Sequence, residues 1–530
     1  MSDVMRCVAW QERSKIFSGG VMRSLIRLCS FAALCVLLGT GAAFAKGDTL
    51  TVGLGHSTKT LDPQATPDAG THNICVQIYE GLVTTNDEGV TIPLLAEKWE
   101  ILDGGKTFKF YLKKGVKFHN GETMTADDVV FTFKRATGPQ GGAIKALSMY
   151  VDPNGIEKID DYTVLIRITL PLGQLFLDSL PHPWAAILNK KAVEQFGNDY
   201  GVNPVGTGRF KLVSWVFGDR ATFERFDDYH GTPAKLKRLV MRTIVENSSR
   251  TIELESGAVD VILDPARIDI KRIEANKDLK VVRRPGSRIY YISFDVTKPP
   301  YDNPKVRKAM DMVVDRKGIV KAVFQGYAEP STGPLSSAIK YNQVKETPVP
   351  DVDIAAAKKL LAEAGYPNGF KGALVLPDLT ERVACGTILQ ANFRTIGIEM
   401  EAKVVEWGAF FEVIRAKGHD PFLSAWWGSE PALDPFFVLN PAFHSGAIGQ
   451  TNRAFYADQI TDDLLIKGAL LPDGPERAAV YKQLWDRLNE TLPWLFFASP
   501  INMYCMNKDL EGVNWSSGSV NYYGNAYFKN

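Results

Sequence analysis

Thr107-Phe108-Lys109-Phe110-Tyr111-Leu112 alternates apolar and polar side chains, and Thr125-Ala126-Asp127-Asp128-Val129-Val130-Phe131-Thr132-Phe133-Lys134 follows it. The first run has the two-residue period of a half-buried strand. The second opens on Thr125, a good N-cap, with acidic residues in its first turn where the helix dipole favours them. A strand and a helix thus lie within thirty residues. The same alternation predicts strands at 49–53, 163–168, 209–214 and 290–295. Helices are predicted at 303–310, with Pro304 in the first turn, at 353–364, closed by Gly365 with Pro367 beyond, and at 477–488, with Val480, Leu484 and Leu488 on one face. The class is α/β. No period of twenty to fifty residues marks a repeat protein.

The 530 residues are 45% hydrophobic and 23% charged with a formal net charge of +1, ordinary for a globular chain of more than one domain. That balance gives no reason to expect nucleic acid or an anionic membrane as partner. At the N-terminus, Arg23 and Arg27 precede an apolar run from Leu28 to Leu38, and Ala43-Phe44-Ala45 follows. Residues 1–45 therefore read as a secretory signal peptide cleaved after Ala45, with Met22 as a candidate true start. A lipid anchor is disfavoured, because Leu28 and Leu34 precede Cys29 and Cys35 where a small residue is required. The leader holds five basic and two acidic residues, leaving 56 and 58 and a net of −2. Cys75, Cys385 and Cys505 remain, too few for a disulfide framework, and whether two of them pair is open at this level.

Motifs that would carry catalysis are missing. Gly53-Leu54-Gly55 and Gly206-Thr207-Gly208 complete neither GxGxxG nor a P-loop, and there is no GxSxG elbow, HExxH helix or SxxK serine. The seven histidines lack ligand-like spacing, and no metal or cofactor is expected. The aromatic content is more informative: Trp407, Phe410, Phe411, Phe422, Trp426, Trp427, Phe436 and Phe437 crowd together, with Ser429, Glu430 and Asp434 interleaved. Aromatic faces with a few polar groups suit a small-molecule pocket, although Phe411 and Phe422 read equally well as core. If 426–427 is extended, the two Trp face opposite sides.

Several stretches in order resemble the peptide-binding family of bacterial solute-binding proteins, family 5. They include Leu61-Asp62-Pro63-Gln64, Tyr79-Glu80-Gly81-Leu82-Val83, Pro93-Leu94-Leu95-Ala96-Glu97-Lys98-Trp99-Glu100 and Gly115-Val116-Lys117-Phe118-His119-Asn120-Gly121. Asn203-Pro204-Val205-Gly206-Thr207-Gly208, Asp228-Tyr229, Val306-Arg307-Lys308-Ala309, Ala357–Gly365 and Gly397-Ile398-Glu399 continue the match over 48–530. The resemblance implies a periplasmic-binding-protein-like, two-lobed clam-shell of type II with an extra subdomain inserted in lobe I. Lobe I is expected at 46–79, 204–287 and 496–530, the insertion at 80–203 and lobe II at 288–495, with the hinge near 285–291 and 491–500. It further implies a monomer that captures a solute between the lobes and delivers it to the permease subunits of an ABC importer in the inner membrane.

In dipeptide binders of this family an Asp shortly after a lobe II Trp pairs with the ligand's amino group; Ser429 stands there, with Glu430 and Asp434 as nearby substitutes. Their carboxylate-holding Arg, some seven residues before a position resembling Arg382, is replaced by Val375-Leu376-Pro377. The expected ligand-binding residues are Trp426, Trp427, Ser429, Glu430, Asp434 and Trp407 from lobe II, and His56, Ser57 and Thr60 from lobe I. A peptide is the leading ligand; an oligosaccharide, a metal chelate or an amino-acid derivative is the alternative. A secreted hydrolase or an exported chaperone-like protein is a remoter one.

Overall fold

The computed structural model describes residues 47–529 apart from 67, 87–89, 139–146, 148, 427–432 and 518–519; the leader and its cleavage point lie outside the described residues. The strands Thr107–Leu112 and Thr163–Ile168 form as the alternation predicts, while those expected at 209–214 and 290–295 form at Phe210–Val216 and Ile289–Ser293. The helices run Ala126–Thr137, Pro304–Met312, Ile354–Glu363 and Pro475–Thr491. Thr125 and Asp128 close a reciprocal capping box, and Asn303 and Asp353 cap the next two helices. Gly365 follows its helix at φ +94°, the left-handed geometry that favours glycine.

Strand pairing among the described residues builds one twelve-stranded sheet with two differently composed halves. In one half the first strand, Thr49–Leu54, lies parallel to both Arg238–Thr243 and Val261–Leu263. In the other, Lys371–Pro377 lies parallel to Glu399–Val405 and meets Phe422–Trp426 in the same sense. The halves share a single strand, Trp494–Asn507. Its first residues pair with Ile289–Ser293 and its last with Leu279–Pro285 and Val261–Leu263. A separate four-stranded antiparallel sheet, from Ala96–Leu102, Thr107–Leu112, Thr163–Ile168 and Val151–Asp160, carries the helix Ala126–Thr137.

Buried side chains group accordingly. One apolar cluster contains Phe108, Phe110, Phe133 and Ile166 on the four-stranded sheet, and another contains Leu50, Val52, Met241 and Tyr504. The second half of the chain has two, one on each face of its sheet: Tyr290 and Ile292 join one, Tyr291 and Trp494 the other.

The motifs that carried the resemblance meet at the buried carboxylate of Glu80. It accepts from the Tyr229 hydroxyl at 2.6 Å, the Thr207 hydroxyl at 2.9 Å and the His230 ring at 2.8 Å. Three separate stretches are thereby held by one desolvated charge, which hydrogen bonding makes tolerable. Gly206 is required there, since a Cβ would stand 2.1 Å from the Ile78 carbonyl oxygen. His119 closes the turn: its Nε2 faces the Gly208 carbonyl at 2.8 Å and its Nδ1 faces the Gly206 N–H at 3.4 Å. Similarly, Asp62 and Gln64 hold Arg135 of the capped helix.

Where the chain crosses between halves, at 285–289 against 498–501, the backbones approach closely. A Cβ on Gly286 would lie 2.2 Å from the Pro500 carbonyl oxygen, and the Ser499 hydroxyl donates to the Arg288 carbonyl at 3.0 Å. The expected break near 491–500 is instead an unbroken strand, because both halves hydrogen-bond to it.

Two outcomes follow for measurement. Gly286→Ala should lower unfolding free energy by about 1–3 kcal/mol through overpacking, read as a lower denaturant midpoint. Burial pushes the His119 pKa from 6.5 down to about 4, since a second ring proton would oppose the Gly206 N–H. A folded-state pKa below the unfolded one means that this stability is complete above pH 6.5 and is lost as pH falls towards 4. His119→Gln should flatten the denaturant-midpoint profile over that window.

Candidate functional site

In open parallel sheets the loops after the strands' C-terminal ends form the binding crevice. Here both halves bring such ends together. From the first half come the loop after Leu54, with His56, Ser57 and Lys59, and the turn after Leu263, with Arg267. From the second come Leu379–Arg382 after Pro377, Glu406–Trp407 after Val405, and the segment after Trp426. The Asp378 N–H donates to the Val405 carbonyl at 2.9 Å, tying the first two of these loops together.

The two sets face one another. Arg267 Nε pairs with Glu381 at 3.0 Å, and the other carboxylate oxygen of Glu381 accepts from the Tyr290 hydroxyl at 2.7 Å. Burial raises the Glu381 pKa, but Arg267, the Tyr290 hydroxyl and neighbouring Arg382 bring it below its ordinary value, so the bridge is ionised at neutral pH. The Glu406 carboxylate is held low by the Gly408 and Ala409 N–H groups, with Lys59 of the opposite loop adding to the effect. A third contact lies further out. Tyr150 meets Phe436 and Phe437 at ring separations of 5.7 and 6.0 Å, and Asn440 Nδ2 donates to its hydroxyl at 3.3 Å.

The expected site residues are placed unevenly. Trp407 is 41% exposed, stacked on Phe410 and edge-on to Phe411, an aromatic face open to a ligand. Trp426 is half-buried; its indole N–H donates to the Val438 carbonyl at 2.8 Å and its ring packs edge-on to Trp494. His56 and Ser57 are exposed, and the His56 ring lies against Gly70, where a Cβ would come within 1.7 Å. Thr60 is half-buried, and its hydroxyl accepts from the Asp62 N–H at 3.1 Å. Trp427, Ser429 and Glu430 lie outside the described residues.

Asp434 is 2% exposed. It caps the helix Pro435–Phe443 and forms a two-point pair with Arg477 at 2.9 and 3.0 Å. Its carboxylate is fully engaged inside the protein, with no oxygen left for a solute. Phe410, Phe422 and Phe436 are fully buried core, so the aromatic run divides between packing and cleft.

Sequence reasoning used Arg382 only as a position marker. The structure makes it 7% exposed, with its guanidinium 3.7 Å from the Tyr290 ring centroid and no hydrogen-bond acceptor or ion-pair partner among the described residues. No pattern in the sequence distinguishes it from an ordinary helical arginine. Among the described residues no group of three or more His, Cys, Asp or Glu side chains is arranged to hold a metal.

The family model for bacterial extracellular solute-binding proteins, family 5, matches residues 90–450. The glutathione-binding protein GsiB of Pectobacterium atrosepticum is 31% identical over 513 residues, covering 94% of this chain and 95% of that protein. Among solved structures, the periplasmic binding protein DppA from Helicobacter pylori, in complex with the peptide STSA, superposes with a TM-score of 0.81 at 25% identity, covering 91% of this chain and 98% of that one. AgaA, in complex with agropinic acid from A. tumefacien R10, gives a TM-score of 0.77 at 27% identity over 88% and 94%.

If the Asp434–Arg477 pair is structural, Asp434→Ala should cost about 3–5 kcal/mol by leaving a buried guanidinium uncompensated. Thermal melting without solute would read this directly; an unchanged melting temperature would return Asp434 to the ligand.

Proposed function

The chain belongs to the bacterial extracellular solute-binding proteins, family 5, and on that premise we propose that it captures a peptide-like solute between its two lobes for an ABC importer. The observation that carries this reading is the meeting of the two sets of parallel-strand ends across Arg267 and Glu381, with the exposed face of Trp407 beside them. A crevice of that kind presents backbone ends, an aromatic surface and charged groups to one small molecule. The naming of GsiB for glutathione and the peptide held by DppA support a peptide-like ligand. The likeness to AgaA, in complex with agropinic acid, supports an amino-acid derivative as the second reading.

In this proposal lobe I comprises 46–79, 204–287 and 496–530, the inserted subdomain 80–203 and lobe II 288–495. The protein is exported by residues 1–45, works as a monomer in the periplasm, binds without turnover and docks closed on its permease. Trp407, Trp426, His56, Ser57 and Thr60 line the cleft, and the segment with Trp427, Ser429 and Glu430 closes over it. Solute biases the protein towards closure only to the extent that it binds the closed form better.

Residues 46–530, purified from the periplasm without denaturant, should show a higher mass in native than in denaturing spectra, the difference matching short peptides. One defined non-peptide mass would replace the peptide reading and keep the transport role. Chemical conversion of the recovered solute would overturn binding without turnover.

A further inference from the structure

The helix Thr380–Arg394 begins without a cap. Leu379 occupies the N-cap position and has no side-chain oxygen to offer. The Arg382 and Val383 N–H groups turn back to the Leu379 carbonyl, while those of Thr380 and Glu381 have no acceptor among the described residues. Leu379 is 39% exposed, so this first turn is open to the crevice. Such a turn carries free donors and the positive end of the helix dipole, a ready site for an anion.

Arg382 stands in that same turn. Side chains on a helix tilt towards its N-terminus, which directs the guanidinium at the uncapped end. Stacking on the Tyr290 face fixes its plane and leaves the edge donors free, the arrangement that receives a carboxylate by two parallel bonds. The neighbouring Glu381 does not neutralise it, because both oxygens of that carboxylate are taken by Arg267 and the Tyr290 hydroxyl. A guanidinium 7% exposed with no partner among the described residues is costly unless something anionic completes it.

We propose that the first turn of this helix, with Arg382, binds a carboxylate of the captured solute. The inference rests on the reading of the crevice as the site of a peptide-like solute. It assigns the acidic end of that solute to Arg382 and to the Thr380 and Glu381 N–H groups, and makes Arg382 a specificity-determining residue.

The test uses thermal shift and calorimetric titration with two probes: a mixture of free-acid tripeptides and the same mixture as C-terminal amides. The wild-type protein should be stabilised by the acids and at least tenfold less tightly bound by the amides. Arg382→Met should lose the response to acids at least tenfold while its unliganded melting temperature stays level or rises. Leu379→Asp supplies an internal cap and a partner for Arg382, so it should raise unliganded melting and weaken acid binding together.

Equal response to acids and amides, or full binding by Arg382→Met, would overturn the carboxylate site while leaving peptide capture standing. A drop of several degrees in unliganded Arg382→Met would also overturn it, by making Arg382 a structural residue. No response of the wild type to either mixture would defeat the peptide reading and this proposal with it.

Discussion

One strand belongs to both halves of the molecule. Trp494–Asn507 hydrogen-bonds to Ile289–Ser293 at its start and to Leu279–Pro285 at its end, so neither half completes its sheet without it. Any relative motion must be absorbed in the few residues where pairing changes over, 285–289 and 498–501. The Gly286 approach to the Pro500 carbonyl and the Ser499 hydroxyl bond restrict that region to a bend between two paired segments. The crevice inherits its position from this, since the strands flanking the shared one fix which loop ends face each other.

Contacts away from the crossing set the energy of that motion. Phe436 is fully buried within the cluster of the four-stranded subdomain, although its helix belongs to the second half of the chain. Separating the two would expose its side chain at a cost of about 1.5–3 kcal/mol. The Arg267–Glu381 bridge adds a smaller, salt-sensitive contribution near the crossing. The protein therefore favours the closed arrangement before solute arrives, and the solute needs less differential affinity to complete the shift.

Much of the fold was legible because local rules decided it. The alternation at 107–112 and 163–168 and the capping box at Thr125 and Asp128 need no knowledge of the rest of the chain. The ordered motifs were legible as family words, and Glu80 supplies their physical reason: Thr207, Tyr229 and His230 share its carboxylate. The site was legible in part. Trp407 is an exposed platform, but Asp434 looked like a ligand group because an acid after aromatics is ambiguous until Arg477 folds against it. Arg382 escaped notice for the converse reason, as its significance is a missing partner, which only three-dimensional neighbours reveal.

Cys75, Cys385 and Cys505 are free and buried, each in a different apolar cluster. Burial lifts the Cys385 and Cys505 thiols to about 12 and Cys75 well above its ordinary value, so little nucleophilic thiolate forms at neutral pH. The folded protein is in effect a thiol-silent scaffold. A single cysteine introduced on the crevice rim would take a maleimide dye without competition from the native three. The result is a reagentless fluorescent reporter of solute, built with no native residue removed.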